Sequence, residues 1–204
     1  MAHEVFPVLA DKTWRQVSCY WAKAPGYSEA DTLKAWPGGE TAMQRDATEL
    51  ARLAAMKWEA TCEFGTVASS LAELESIIRT DAHAEVTGML IAEARWFEPG
   101  LLGVCLFHRT WKGNIFLDFL AAHPQTEGEI GGVGSGLLYH ICNLSRRLKP
   151  ALLWGETAAN SAEFYQRAFG FDEATDRLSA PFDRQENFCR FMEDKWRDKW
   201  RGGR

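Results

Sequence analysis

The feature that most constrains the fold of this chain is a glycine-rich segment between an apolar run and an amphipathic helix. Four of the six residues in Gly131–Gly136 are glycine. The apolar run Ile115–Ala122 precedes them, and apolar residues at helical spacing follow as far as Leu148, just before Pro150. Such a loop exposes backbone N–H groups beside the positive end of a helix dipole, and glycine lets an anion come close. The sequence therefore predicts a strand, an anion-binding turn and a helix.

Two common nucleotide-binding motifs are absent from this segment. A phosphate-binding loop of the Walker A type needs a lysine after its last glycine, but Leu137 follows Gly136. The dinucleotide fingerprint, started at Gly132, meets Gly134 and then Leu137 where its third glycine belongs. The neighbouring strands also favour an antiparallel arrangement over a βαβ unit. A turn that serves only close helix–strand packing remains an alternative.

Three apolar segments in succession predict an antiparallel meander, because short turn sequences separate them. They are Met89–Trp96, Leu101–His108 and Ile115–Ala122. Two helices should precede them, beginning at Thr41 and Ser70, each of which starts a sequence typical of a capping box. The earlier segment Thr13–Trp21 fits a strand or a helical turn.

After the glycine-rich helix the pattern alternates between strands and helices. It predicts a strand over Ala151–Glu156, a helix capped by Asn160 and ended by Gly170, and two weaker strands over Phe171–Leu178 and Asn187–Glu193. The order of elements favours an α/β or α+β domain.

Charge and composition limit the classes of partner that this chain is expected to bind. The formal net charge is −5, and the only basic run is the tail from Lys195 to Arg204, so we expect no nucleic-acid binding. No apolar stretch approaches the roughly 20 residues that span a bilayer, and the first residues do not resemble a signal peptide. The five cysteines are scattered and fit neither a metal site nor a disulfide framework. We therefore expect a cytoplasmic protein without membrane or metal, and leave a homodimer open.

Two motifs in order resemble those of the GNAT acetyltransferase superfamily. In the first, Leu117-Asp-Phe-Leu-Ala-Ala-His-Pro is followed by Gly132-Val-Gly-Ser-Gly-Leu-Leu. In the second, the stretch from Asn160 to Phe171 matches Asn-x-x-Ala-x-x-(Phe/Leu)-Tyr-x-x-x-Gly-Phe with one extra residue before Gly170. The resemblance extends over roughly Met89 to Met192, about half of the chain. Two motifs at this spacing are far more specific than either alone.

The resemblance implies a GNAT-like fold, with a mixed, splayed central sheet of about six to seven strands and helices on both faces. Residues 1–204 would form one domain: an N-terminal part (1–85) on the acceptor side, an acyl-CoA-binding core (86–193) and a basic tail (194–204). The implied activity is transfer of an acetyl group from acetyl-CoA to a small-molecule or peptide amine. A GNAT-fold sensor or scaffold that binds acyl-CoA without catalysis is the alternative.

Site residues carried over from the resemblance fall into two groups. Tyr165 would act as general acid for the departing thiolate, and Asp118 would bind or deprotonate the amine. The cofactor would contact the backbone of the β-strand end and the glycine turn, together with Asn160; these residues are Leu120, Ala121, Ala122, Gly132, Val133, Gly134, Ser135, Gly136 and Asn160. A core aromatic remains the alternative for Tyr165, and an outward-facing strand residue for Asp118.

One position departs from the family pattern. Glu129 stands where the family has a basic residue or glutamine, and a carboxylate there would repel a pyrophosphate. Binding would then depend on backbone N–H groups, or on Arg146 or Arg147. We expect a structural role for His123 and no special role for His83, His108 or His140.

Overall fold

The computed structural model describes residues 4–24 and 28–199. Nine strands are arranged in chain order as β1 Glu4–Ala10, β2 Thr13–Trp21, β3 Val67–Ala68, β4 Val86–Glu93, β5 Leu101–Arg109, β6 Ile115–Ala122, β7 Ile130–Gly131, β8 Leu152–Glu156 and β9 Arg177–Pro181. Six helices accompany them: α1 Ser28–Lys34, α2 Ala42–Phe64, α3 Leu71–Thr80, α4 Val133–Leu148, α5 Ala162–Phe169 and α6 Phe182–Trp196.

The strands form one mixed sheet in the order β7-β1-β2-β4-β5-β6-β8-β9, and β3 pairs with β4. Pairing is antiparallel except between β6 and β8 and between β3 and β4. The β6–β8 ladder extends only from Ile115↔Leu153 to Leu117↔Gly155, so the two strands separate beyond Leu117. The sheet is therefore splayed beside its central strand β6.

Helices cover both faces of the sheet because each face is apolar. On one face, α4, α5 and α6 bury residues such as Leu137 and Trp196 against β1, β5 and β6. On the other face, α1 and α2 bury Leu33 and Trp58 against β4 and β5. The central strands β4 and β5 are buried almost throughout, as their continuous apolar sequence requires.

The predicted fold class is confirmed: a mixed, splayed α/β sheet with helices on both faces. β6 and α4 occupy the predicted ranges, and Thr13–Trp21 is a strand. Within residues 4–24 and 28–199 the sheet has nine strands, where about six to seven were expected. β1, β3 and β7 are additional, and the strand expected over Asn187–Glu193 is absent.

One element prediction is wrong. Asn187–Glu193, expected as a strand, lies within helix α6. The buried residues Phe188, Cys189, Met192 and Trp196 recur at helical spacing and pack on the core, whereas no alternating pattern is buried. The strand expected over Phe171–Leu178 begins later and forms β9.

Along the described ranges 4–24 and 28–199, no helix has the length and apolar character needed to cross a bilayer. Of the basic tail, residues 200–204 lie outside the described residues, and α6 ends at Trp196.

Candidate active site

A cleft of about 520 Å³ opens where β6 leaves β8. Its walls are the end of β6, the turn into α4, the start of α5 and the amino-terminal half of α2. We call it the β6 cleft. Of the predicted cofactor-binding residues, it brings together Leu120, Ala121, Ala122, Gly132 and Asn160.

The end of β6 offers backbone hydrogen-bonding groups to this cleft. Leu120, Ala121 and Ala122 pair with β5 on one side, but the ladder to β8 stops at Leu117 on the other. Alternate N–H and C=O groups on the β8 side therefore have no strand partner there. Backbone groups without a strand partner need another one, and at this cleft water or a bound ligand can supply it.

The glycine turn supplies further donors. Gly132 has a φ of +107°, a left-handed conformation that favours glycine, and no side chain caps the first turn of α4. The amides at the start of a helix have no partner within the helix. Gly136 is different, because its N–H donates to the carbonyl of Gly132 at 2.9 Å. The free donors are therefore expected at Val133, Gly134 and Ser135.

Gly134 and Gly136 differ in the space that a side chain would find at each position. A Cβ on Gly134 would lie 3.7 Å from the ring of Phe164, an ordinary contact beside the β6 cleft. A Cβ on Gly136 would lie 2.1 Å from the ring of Phe6. Gly136 thus serves packing of α4 on β1, the alternative that the sequence left open for this turn.

Asn160 lines the cleft but does not cap α5. The helix begins after Ser161, and the Asn160 side chain instead donates from Nδ2 to Oδ2 of Asp46 at 2.7 Å. The predicted cap role is wrong because this partner lies on α2, 114 residues away. Gly170 ends α5 in a left-handed conformation, as predicted.

Tyr165 lies beneath the cleft. Its side chain is only 7% exposed and packs in the core with Cys105, while its neighbour Phe164 lines the cleft. Burial raises the pKa of the Tyr165 phenol well above its ordinary value, so the group stays protonated at neutral pH. The phenol is therefore the stable form, and a phenolate left after proton donation would have to be reprotonated at once.

The charged side chains that line the β6 cleft are not the ones that the sequence suggested. Glu129 is exposed and does not line it, whereas Asp46, Glu127 and Arg167 do. Arg146 and Arg147 are engaged elsewhere, Arg146 by Glu186 at 2.7 Å and by Glu193, and Arg147 by Glu75 at 2.9 Å. Arg167, paired at 3.2 Å with Glu163 on the same helix, is the cation at the cleft wall.

His123 forms part of the same wall and is 1% exposed. Its ring packs edge-on against Trp36 and Phe97, with centroids 4.9 and 5.1 Å away. Nδ1 accepts from the N–H of Gln125 at 3.3 Å. Burial lowers the pKa of His123 to about 4, so the ring is neutral at pH 7. This arrangement is the structural role expected for His123.

Asp118 lies in a different place, on the face of β6 that α2 covers. Oδ1 accepts from Nζ of Lys57 at 2.5 Å, and Oδ2 lies 2.8 Å from Nδ1 of His108. The Asp118 side chain is 4% exposed, that of His108 25% and that of Lys57 42%. The outward-facing alternative for Asp118 is therefore wrong.

Lys57 and His108 line a second opening of about 560 Å³, the polar cleft. Other residues that line it are Thr61, Thr87, His83 and the two acidic residues Asp81 and Glu85. Helix α2 borders both clefts, the β6 cleft at residues such as Leu50 and the polar cleft at Lys57.

Sequence reasoning treated His108 as ordinary, yet it has a buried carboxylate partner. The hairpin between β5 and β6 places His108 opposite Phe116, and this register was within reach of the sequence. The register then shifts between Leu106 and Phe107, and this bulge leaves Asp118 without a directly opposite residue. The bulge has no sequence signature that could have located it.

No group of three or more His, Cys, Asp or Glu residues within residues 4–24 and 28–199 is placed to hold a metal ion. No family model matches the chain, and no curated protein matches it.

Solved structures with similar folds include a GNAT-family acetyltransferase of Desulfovibrio desulfuricans, at 17% identity and a TM-score of 0.49, covering 80% of this chain and 98% of that one. A nourseothricin acetyltransferase matches at 19% identity and a TM-score of 0.38, over 47% of this chain and 65% of that one. A KacTA–DNA complex matches at 16% identity and a TM-score of 0.46, over 84% and 97%. These values concern the fold alone, and the absence of nucleic-acid binding stays a prediction.

Proposed function

We propose that this chain is a GNAT-type N-acyltransferase that moves an acetyl group from acetyl-CoA to an amine. The observation that supports it is the β6 cleft, which brings together the end of β6, unpaired on its β8 side, and Gly132 at the start of α4. A thioester needs donors for its carbonyl oxygen, and a pyrophosphate needs donors for its anionic oxygens. In this proposal the strand end supplies the first kind of donor, and the helix start beside Gly132 supplies the second.

In this proposal the backbone N–H groups at Leu120–Ala122 polarise the thioester carbonyl. The amides at the start of α4 and the Arg167 guanidinium receive the pyrophosphate, and Glu129 is outside the cleft and leaves the site unaffected. Asp46 and Glu127 lie on the same wall and oppose the anion. The Asn160 amide becomes available to the ligand once it leaves Asp46.

The chemistry is direct transfer. The amine nitrogen attacks the carbonyl carbon, the C–N bond forms, the C–S bond breaks, and the thiolate takes up a proton. We propose the protonated Tyr165 phenol as the donor, reaching the sulfur from below the cleft, and the proton that the attacking nitrogen loses restores the phenol. A ligand that enters between β6 and β8 would approach this buried ring.

The non-catalytic acyl-CoA sensor is a second candidate, favoured by one observation. Tyr165 is buried and absent from the cleft wall, so the proposed acid has no open path to the ligand in this conformation. A sensor would bind acetyl-CoA and release no thiol with any amine.

Two measurements test the proposal. Calorimetry with acetyl-CoA asks whether the β6 cleft binds the donor, and thiol release with a panel of small and peptide amines asks whether transfer follows. Binding with transfer supports the enzyme, and binding without transfer supports the sensor. A protein that binds no acetyl-CoA excludes both.

A further inference from the structure

Asp118 is poorly placed to take a proton from an amine itself. Both carboxylate oxygens are engaged, Oδ1 by Lys57 at 2.5 Å and Oδ2 by His108 at 2.8 Å, and the side chain is 4% exposed. A carboxylate can accept more than two hydrogen bonds, but a side chain exposed to only 4% leaves little room for a third partner. The carboxylate therefore acts on its neighbours more readily than on a ligand.

The first consequence is the orientation of His108. When Nδ1–H donates to a carboxylate, the neutral ring carries its lone pair on Nε2. Among the described residues, Nε2 of His108 has no hydrogen-bond partner. The ring is 25% exposed and lines the polar cleft, so a ligand can reach it.

The surroundings of His108 suit an amine. Its ring stacks on Phe116 at a centroid distance of 5.1 Å, and Phe116 meets the exposed Trp154 at 4.5 Å. Besides His108, the charged and titratable groups lining the polar cleft are Lys57 from α2 and Asp81, His83 and Glu85 from the segment before β4. Asp118 lies behind them, paired with Lys57 and His108. Two carboxylates, Asp81 and Glu85, against one lysine that is already paired favour a cationic ligand.

The polar cleft is close to the proposed site of transfer. Asp118 follows the last β6–β8 pair directly and lies two residues before Leu120, about 7 Å along the strand. Leu120 lines the β6 cleft, and α2 forms a wall of both openings. An amine bound at the His108 ring, which contacts Asp118, would therefore lie near the strand end that we propose to hold the thioester.

We propose that His108 is the general base for the acceptor amine, with Asp118 as its positioning residue. The inference rests on the proposed function. Nε2 takes one proton from the ammonium group, and Asp118 stabilises the imidazolium, which releases the proton to solvent. The neutral amine attacks the carbonyl carbon, the C–N bond forms and the C–S bond breaks. The proton lost by nitrogen in that step balances the proton gained by the thiolate.

The test uses the full chain with acetyl-CoA and named amine probes: 2-phenylethylamine, spermidine and a lysine-containing peptide. Hydroxylamine serves as a nucleophile that is unprotonated at neutral pH. His108→Gly should lower kcat for the amine probes about 100-fold, since general base catalysis contributes on the order of 10²–10⁴-fold. The KM for acetyl-CoA and the rate with hydroxylamine should change less than about threefold.

Imidazole is the matched control. Added to His108→Gly it should restore about tenfold or more of the lost rate, after subtraction of the reaction of imidazole without protein. Asp118→Asn should also lose rate, and imidazole should not restore it, because the base is present but misoriented. His108→Gln provides a second variant should the glycine variant fail to fold.

Three results would overturn the assignment: parent rates in both His108 variants, a loss that is equal for amines and hydroxylamine, or a loss that imidazole does not restore. A parent protein that acylates none of the probes rejects the proposed transferase function, and His108 as a base with it. A parent protein that acylates them while one of the three results above is found rejects only the role of His108, so the two failures are distinguishable.

Discussion

The two clefts beside α2 differ in the groups that line them, backbone groups in one and side chains in the other. The β6 cleft is shaped by backbone: a strand end without a neighbour, a left-handed glycine and uncapped helix amides. The polar cleft is shaped by side chains from α2, β4, β5 and the segment before β4. Backbone sites depend on glycines and local order, and side-chain sites on residues distant in sequence. The first kind leaves a motif in the sequence and the second does not.

The largest expected effect tests the backbone character of the β6 cleft. Gly134→Asp should weaken acetyl-CoA binding about 1000-fold or more, roughly 4 kcal/mol, because a carboxylate would face the anion at the helix start. Gly134→Ala is the matched control and should bind within about threefold of the parent, because its Cβ would meet Phe164 at an ordinary 3.7 Å. Calorimetry measures both. Equal affinity of the aspartate variant and the parent would place the anion elsewhere.

A second effect compares the histidines of the two clefts. Burial lowers the pKa of His123 to about 4, below its unfolded value of about 6.5. As the pH falls, His123 is protonated in the unfolded state before it is protonated in the folded state. The stability that the neutral His123 ring contributes is therefore fully present above pH 6.5 and is lost as the pH falls towards 4. The free energy of unfolding should drop by on the order of 3 kcal/mol over this range.

Denaturant titrations at several pH values check this prediction. His123→Gln should flatten the dependence, whereas His83→Gln, an exposed control, should leave it as in the parent. An unchanged slope in His123→Gln would mean that another group titrates.

The third effect separates packing from anion binding within the glycine turn. Gly136→Ala should lower the free energy of unfolding by roughly 1–3 kcal/mol, because its Cβ would overlap the Phe6 ring at 2.1 Å. Gly134→Ala should be close to neutral in the same urea titration. Similar stability of the two alanine variants would show that Phe6 can move aside.

The smallest expected effect concerns the phenol beneath the β6 cleft. Tyr165→Phe keeps the ring and its packing and removes only the proton donor. It should lower kcat about tenfold, less than general acid catalysis usually contributes, because water can partly replace the phenol. The affinity for acetyl-CoA should stay near that of the parent. Thiol release with an accepted amine measures it. Turnover at the parent rate would make Tyr165 a core aromatic.

The elements closest to the site were the most predictable. The helical spacing of apolar residues and the position of Pro150 predicted the range of α4. An apolar run between two turns predicted the range of β6. The prediction of a strand over Asn187–Glu193 is wrong, because a short run with three buried residues does not reveal its period until its packing partner is known.

Side-chain partners were much less predictable than elements. Asp46 and Asn160 are 114 residues apart, and Lys57 and Asp118 are 61 apart. The sequence shows that such residues are polar but not which of them meet. Asp118 was identified as a candidate, but its partners His108 and Lys57 became visible only in the fold.

The attachment of the glycine turn to the first strand has a consequence for how the chain acquires its site. Ala10 pairs with Ile130 and Leu9 with Gly131, and the Phe6 ring fills the space that Gly136 leaves. Contacts that close so large a loop form slowly, since the chain must lose considerable entropy first. During synthesis, β1 leaves the ribosome together with β2 but long before β7 and α4 exist. We therefore expect the glycine turn to be completed late in folding, and a fragment starting at residue 86 would lack the strand that shapes it.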